Sequence, residues 1–272
     1  MSAGLEAERL ARLRDVLSGF PRLAVATSGG VDSTTLGVFA HRLLGARALL
    51  VHAVSPAVPE AATERLRALA RSEGFALRLI DAGELADPRY RANPLDRCYF
   101  CKSNLYAAIR GIWEGPIASG TNRDDLGDFR PGLRAAREWG VRHPYLEAGF
   151  DKAAVRDLAR RLGLADLAEL PASPCLASRL ETGIAVTPER LALVARIERL
   201  LEDRFGPGDQ RCRIRAGRIE IELPAERLAA LAAAARADLV RAVRAELARA
   251  GLALPVGLGP YRRGGAVVRA DP

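Results

Sequence analysis

The chain has 272 residues, 49% hydrophobic and 27% charged, with a formal net charge of +8. That size and balance suit a globular chain of one full domain and a smaller one, and no apolar run approaches the roughly 20 residues that span a bilayer, so no membrane partner is expected. The basicity comes from arginine interleaved with alanine and leucine throughout, as on solvated helix faces, and aromatics are only 5%; a nucleic-acid surface would cluster bases with exposed aromatics, so no nucleic-acid partner is expected either. The amino terminus, MSAGLEAERLARLRDVL, mixes acids and bases without an apolar block, unlike a secretion signal, and we expect a cytoplasmic protein.

In chain order, residues 5–17 carry Leu5, Leu10, Leu13 and Leu17 on one helical stripe. Arg22–Thr27 reads as a short buried strand running into Gly29-Gly30, followed by a helix from about Asp32 to Leu44. Ala46–Val54 is a second strand, Glu60–Glu73 a helix and Ala76–Ile80 a third strand. After an irregular stretch beyond Tyr90 come the helix Ser103–Trp113, the strand Pro116–Ser119 and the helix Lys152–Leu162. Strands alternating with helices at this interval indicate an α/β fold with a parallel sheet covered on both faces. Pro171 and Pro174 mark a long loop. From about Ile184 the pattern changes to a helix near Pro188–Phe205, an alternating stretch Arg211–Leu223 and an alanine-rich helix through Arg249. The expected division is therefore residues 1–183 and a smaller α+β unit, 184–272.

The first chemical motif is Ser28-Gly29-Gly30-Val31-Asp32-Ser33-Thr34, between a strand and a helix. The glycines let backbone N–H groups turn toward an anion, the helix amino terminus adds partial positive charge, and the hydroxyls of Ser28, Ser33 and Thr34 add donors. A glycine turn capped at Asp32 or Ser33 is the plainer alternative, which the strand and helix context disfavours. The Lys-Ser/Thr ending of a Walker loop is missing, which argues against a kinase or GTPase. The segment resembles the PP-loop of the ATP pyrophosphatase family, whose SGGxDS holds the pyrophosphate leaving group as ATP is split to AMP. That resemblance implies transfer of AMP to a carboxylate or carbonyl oxygen, which a nitrogen or sulfur nucleophile then displaces.

Four cysteines in a reducing compartment are expected to be metal ligands or reactive thiols. Cys98-Tyr99-Phe100-Cys101 is a CxxC, and Cys175 lies in Ser173-Pro174-Cys175-Leu176-Ala177-Ser178-Arg179. A lone CxxC is ambiguous among zinc, iron–sulfur and redox duties. A thioredoxin-like CxxC would open a helix after a strand, whereas this one follows the irregular Asn93-Pro94-Leu95-Asp96-Arg97 and precedes Lys102. Three thiolates leave one position of a zinc ion or of a cubane open for chemistry. Cys212, between Arg211 and Arg213, would close a four-cysteine zinc site; we read it as a bystander.

The stretches NPLDRCYFCKSNLY (93–106), SGTNRDDLGDFRPGLRAARE (119–138), EAGFDKAAVRDLARRLGL (147–164) and PCLASRLETG (174–183) resemble the LarE family, ATP-dependent sulfur transferases of nickel-pincer nucleotide biosynthesis. The similarity runs from about Arg22 to Arg215 in unbroken order. It implies a PP-loop domain of the adenine nucleotide alpha hydrolase kind, with ATP and Mg²⁺ held by Ser28, Gly29, Gly30, Asp32, Ser33 and Thr34, and with Asn122, Asp124 and Asp125 close to nucleotide or metal unless they merely cap a helix. Cys175 matches the sulfur-delivering cysteine, which in some members yields its own sulfur and is left as dehydroalanine. In members with the CxxC, three cysteines are thought to carry a 4Fe-4S cluster that holds a recyclable sulfide; this chain has all three, Cys98, Cys101 and Cys175, so the resemblance implies the cluster route, with the sacrificial cysteine as the alternative. The implied substrate is a pyridinium dicarboxylate mononucleotide, and the implied partners are a sulfide source, other nickel-pincer pathway proteins and further copies of this chain.

Arg213 and Arg215 alternate with Cys212 and Ile214, so both guanidinium groups would lie on one strand face and could grip a phosphate or carboxylate. They match an RxR segment of the family; a solvated strand face is the alternative. Arg179 and Arg130 are weaker candidates. The family's longer turn with His-Gly after that strand is replaced here by Ala216-Gly217-Arg218. His41, His52 and His143 have no partner at ligand spacing and read as ordinary structural or surface residues. Other classes to be told apart are an amide-forming PP-loop ligase, a tRNA thiolase, and a non-catalytic nucleotide- or metal-binding protein.

Overall fold

The computed structural model describes residues 3–127, 130–171, 174–262 and 264–267. The chain divides into two compact units, one of residues 1–84 and 98–173 and one of residues 85–97 and 174–272.

The first unit begins with α1 (Ala3–Ser18), β1 (Leu23–Ala26), α2 (Val31–Leu44), β2 (Ala48–Ala53), α3 (Glu60–Glu73) and β3 (Ala76–Ile80). The chain then places α4 (Pro88–Arg91) in the second unit and returns through α5 (Arg97–Arg110), β4 (Ile117–Ser119), α6 (Pro131–Glu138), α7 (Pro144–Glu147), α8 (Lys152–Arg161) and α9 (Ala165–Ala168). The four strands form a parallel sheet in the order β3-β2-β1-β4, as the α/β pattern predicts. β1 is central and wholly buried, and its alternation serves two cores. Leu23 and Val25 pack with residues of α1, α2 and α8, while Ala24 and Ala26 pack with Tyr106, Ile109, Ala135 and Ala136. Because β2 lies on one side of β1 and β4 on the other, the strand order reverses at β1, and the crevice beyond the carboxyl ends of β1 and β4 is where open α/β sheets take ligands.

The second unit holds α10 (Pro188–Phe205), β5 (Arg211–Arg215), β6 (Arg218–Leu223), α11 (Ala225–Ala230), α12 (Ala233–Arg249) and β7 (Val256–Pro260). β5 and β6 are antiparallel, joined by Ala216-Gly217 with Gly217 at φ +70°, and β6 pairs in parallel with β7. The alternating stretch Arg211–Leu223 is thus one tight hairpin. Leu191, Val194, Ile197, Ile214, Ile219, Ile221, Leu239 and Val243 supply its buried apolar side chains.

Two expectations change. The division does not fall at 183/184: residues 85–97 and 174–183 belong to the second unit, because Asn93 and Arg91 are hydrogen-bonded to the stretch 181–186. The helix expected from Ser103 starts at Arg97, so the CxxC does open a helix, although it follows a loop rather than a strand.

Candidate functional site: the glycine loop and its carboxylate

Three described helices, α4, α8 and α10, start with a side-chain cap. Asp151 accepts from Ala154 N at 2.8 Å on α8, and Thr187 accepts from Arg190 N at 3.3 Å on α10. Even the short α4 is capped by Asp87. α2, like α3, α6 and α12, has no such cap: it starts at Gly30, in extended conformation, with no side-chain hydrogen bond to the first turn. What sets α2 apart is its place: it begins at the glycine loop after β1, where the strand order reverses, so its orphan N–H groups and positive end face the crevice in which such folds take an anion.

The loop leading there is pinned by its own serines. Ser33 Oγ accepts from Ser28 N at 2.9 Å, Ser28 and Ser33 hydroxyls are 3.0 Å apart, and Gly30 N donates to Ser28 Oγ at 3.3 Å. Gly29 has φ +77°, and a Cβ there would lie 2.6 Å from the carbonyl oxygen of Ala62, so both conformation and space require glycine. Arg65 Nη1 donates to Gly29 O at 2.7 Å from α3. Beneath the loop, His52 on β2 must donate from Nδ1 to Thr27 O at 2.9 Å, which leaves Nε2 to accept from Thr63 Oγ1 at 2.9 Å. Burial lowers its pKa, so it stays neutral, a structural histidine as the sequence reading holds. Thr34 differs from expectation. Its hydroxyl is fully buried without a hydrogen-bond partner among the described residues, and its N–H donates to Gly30 O at 3.2 Å. One turn into α2 it faces the packed interior, so neither group is offered to a ligand.

Asp32 is the hub. Its Oδ1 accepts from Asn122 Nδ2 at 3.2 Å and its Oδ2 meets Lys152 Nζ at 2.5 Å; Tyr145, buried completely, donates its hydroxyl to Asp32 O at 3.3 Å. The loop after β4 is built to aim Asn122: Asp124 N donates to Asn122 Oδ1 at 3.0 Å, and Asp125 Oδ2 accepts from Asn122 N at 3.1 Å. Asp125 also pairs with Arg130 at 2.7 Å, and Asp124 Oδ2 accepts from Lys152 N at 3.1 Å. GTNRDD thus joins Asp32 to Lys152, and Asp124 and Asp125 hold the loop's own backbone, the start of α8 and Arg130. Its glycine sets the approach. A Cβ on Gly120 would lie 2.6 Å from Ser33 N and 2.7 Å from Ser33 Cα, backbone that cannot swing aside. Gly120→Ala is expected to destabilise the protein by about 1–3 kcal/mol through overpacking, seen as a lowered Tm; an unchanged Tm would mean that α2 and this loop are not in close contact.

Lys152 was not among the sequence-based candidates. A signal for it existed: of 41 lysines and arginines only Lys102 and Lys152 are lysine. In a chain that uses arginine so freely, a lysine marks a place where a compact point charge serves better than a planar fork.

The second unit's candidate arginines do not face open solvent. Arg213 is 4% exposed, pairs through Nε with Glu222 Oε2 at 2.8 Å, and donates to Ser178 O and Arg262 O. Arg215 is bound by Glu220, Glu181 and Glu222 and by Gly265 O. Arg179, 3% exposed, pairs with both oxygens of Glu198 at 2.9 Å. Arg213 and Arg215 do share a strand face, as the alternation requires, but the neighbouring β6 fills it with glutamates. The face is neither a free anion grip nor a solvated surface.

No disulfide joins the cysteines. Cys98 is exposed and Cys101 half-buried, one turn apart on α5 in the first unit; Cys175 is half-buried in the second. Cys212 is sealed in β5, and burial pushes its thiol pKa far up, so it is an inert neutral thiol, in keeping with a bystander. Among the described residues no group of three or more His, Cys, Asp or Glu side chains is gathered to hold a metal ion. No described helix is long and apolar enough to cross a membrane.

No family model matches the chain. An uncharacterized protein of Synechocystis sp. is 39% identical over 224 residues, which cover 81% of this chain and 83% of that protein. The pyridinium-3,5-bisthiocarboxylic acid mononucleotide synthase of Lactiplantibacillus plantarum is 31% identical over 227 residues, 82% of each chain. This chain belongs to the LarE family. A more distant relative, one of the subunits of the glutamine-hydrolyzing GMP synthase of Thermoplasma acidophilum, is 27% identical over 202 residues, 68% of this chain and 64% of that one. Membership of the LarE family agrees with the resemblance carried by the cysteine and GTNRDD stretches, and the parallel sheet is the fold expected of its PP-loop domain.

Proposed function

We propose that this LarE-family protein is an ATP-dependent sulfur transferase. It adenylates a carboxylate of a pyridinium dicarboxylate mononucleotide and converts it to a thiocarboxylate. The carboxylate oxygen attacks the α-phosphorus and pyrophosphate leaves; a sulfur nucleophile then attacks the acyl carbon and AMP leaves with the original oxygen. The observation that carries this reading is the uncapped start of α2, with Asp32 and Lys152 beside it at the reversal of the strand order.

In this reading the first-turn N–H groups of α2, with Ser28 and Ser33, receive the phosphates, and Lys152 supplies the cation next to them. Asp32 would hold Mg²⁺, which in nucleotide sites takes one or two protein carboxylates and completes its shell with phosphate and water. One carboxylate fixed by Asn122 fits that demand. The ion would neutralise charge on the departing pyrophosphate. Arg179, Arg213 and Arg215 serve the substrate indirectly, by holding the second unit in shape.

Cys175 is the sulfur-bearing residue of the proposal. Its relation to a 4Fe-4S cluster on Cys98, Cys101 and Cys175 is a separate matter. Cys98 and Cys101 have the spacing of neighbours on one helix face, neither unit by itself holds three cysteines for a cluster, and no step is derived through one. Reconstitution without oxygen decides. A cluster would bring about four irons per chain and broad visible absorption, both lowered by substituting any of the three cysteines but not by Cys212→Ala. A sacrificial donor is expected instead to leave dehydroalanine at 175 after turnover, read from the intact mass, with no iron requirement. Pyrophosphate release with an amide product would convert the assignment to an amide-forming ligase.

A further inference from the structure

Among the described residues, one that is not glycine lies in the left-handed region: Asn93, at φ +54°. Asparagine tolerates that conformation better than most residues, and such strain persists where the surroundings over-determine it. Here they do. Asn93 is 1% exposed, and its side-chain amide is saturated. Nδ2 donates to Glu181 O at 2.8 Å and to Ile184 O at 2.9 Å, and Oδ1 accepts from Arg97 Nη1. Its backbone carbonyl accepts from Gly183 N at 2.9 Å.

Those contacts end on the segment that carries Cys175. Arg97 Nη1 also donates to Ala177 O at 3.0 Å, in the turn Leu176–Arg179 that follows Cys175 directly. Arg179 Nη1 donates to Pro174 O at 2.7 Å, and Ser178 N donates to Cys175 O at 2.9 Å. The backbone on the carboxyl side of the thiol is therefore tied at Glu181 and Ile184 to the Asn93 side chain, at Gly183 to the Asn93 backbone carbonyl, and at Ala177 to Arg97. All of these residues belong to the second unit.

We propose that Asn93, with Arg97, is a positioning clamp that sets how the Cys175 thiol is presented for sulfur transfer; this rests on the reading of Cys175 as the sulfur-bearing residue. The strained backbone turns the amide toward the Cys175 segment, and the two N–H donors fix that segment's carbonyls. Arg97 links the amide to the turn next to the thiol. The clamp does not touch substrate, so adenylation in the glycine loop should not need it.

The test is Asn93→Asp, which keeps size and tolerance of the left-handed region but sets a carboxylate against two carbonyls. Amide hydrogen exchange across residues 181–186 is expected to quicken roughly tenfold or more, as the loss of two hydrogen bonds implies. Substrate-dependent pyrophosphate release should stay within about twofold of the unaltered protein, while thiocarboxylate formation falls roughly tenfold or more. Should that variant not fold, Arg97→Gln, which weakens the tie to Ala177 but spares both amide donors, is read by the same product split and by exchange across residues 176–180. Unchanged exchange, or pyrophosphate and product falling together, overturns the clamp. If the unaltered protein shows neither activity, the functional reading fails instead, and exchange alone still decides whether the clamp holds the segment.

Discussion

Asp32→Ala is expected to cut substrate-dependent pyrophosphate release by roughly 100-fold or more, the scale of losing one preorganised electrostatic group at a reacting centre. The loss should be larger than for any other single change in the loop, because Asp32 joins three elements: α2 itself, the GTNRDD turn through Asn122, and α8 through Lys152. The fold should survive. The carboxylate is 27% exposed at a helix start, and the ammonium left behind is itself 34% exposed and can take water. Pyrophosphate release in a coupled assay, beside a circular dichroism spectrum, checks both statements. Release at the original rate in a folded variant would remove the PP-loop assignment.

Arg213→Ala acts on stability first. Arg213 and Glu222 are 5% and 2% exposed at their side chains and meet at 2.8 Å, so truncating the cation strands a buried carboxylate. Breaking a buried pair in this way costs about 3–5 kcal/mol, whereas replacing both partners with apolar residues is often close to neutral. Denaturant unfolding should therefore show a large loss for Arg213→Ala and recovery of most of it in the double variant Arg213→Leu, Glu222→Leu. ATP affinity should change little. If stability is instead unchanged and substrate affinity falls by about tenfold to a hundredfold, the guanidinium is a substrate grip after all, since that is the scale of one charge-assisted contact.

Part of this was legible in residue order. β1, the glycine pair and α2 are contiguous, so a buried apolar run, a turn that only glycine makes and a helix start could be read as one anion-binding device. The alternation Arg211–Leu223 disclosed strands, and the Ala216-Gly217 pair disclosed where they turn.

What residue order left open were pairings across the chain. Asp32 and Lys152 are brought together only because α8 packs beside α2, and nothing local to either residue says so. The carboxylates that occupy Arg213 and Arg215 depend on the register of β5 against β6, which a shift of one residue would exchange for the opposite face. The allocation of residues 85–97 to the second unit goes with hydrogen bonds between Arg91, Asn93 and Arg97 and residues 177–186, far along the chain. The sequence by itself determined the strands β1 to β6, the longer helices and the phosphate-type loop, because short-range sterics and hydrophobic period act between near neighbours; the short helices and β7 were not legible in it. Tertiary structure alone decided which charges are free and which are spent, because a side chain's partner is set by packing and register, which act at any separation along the chain.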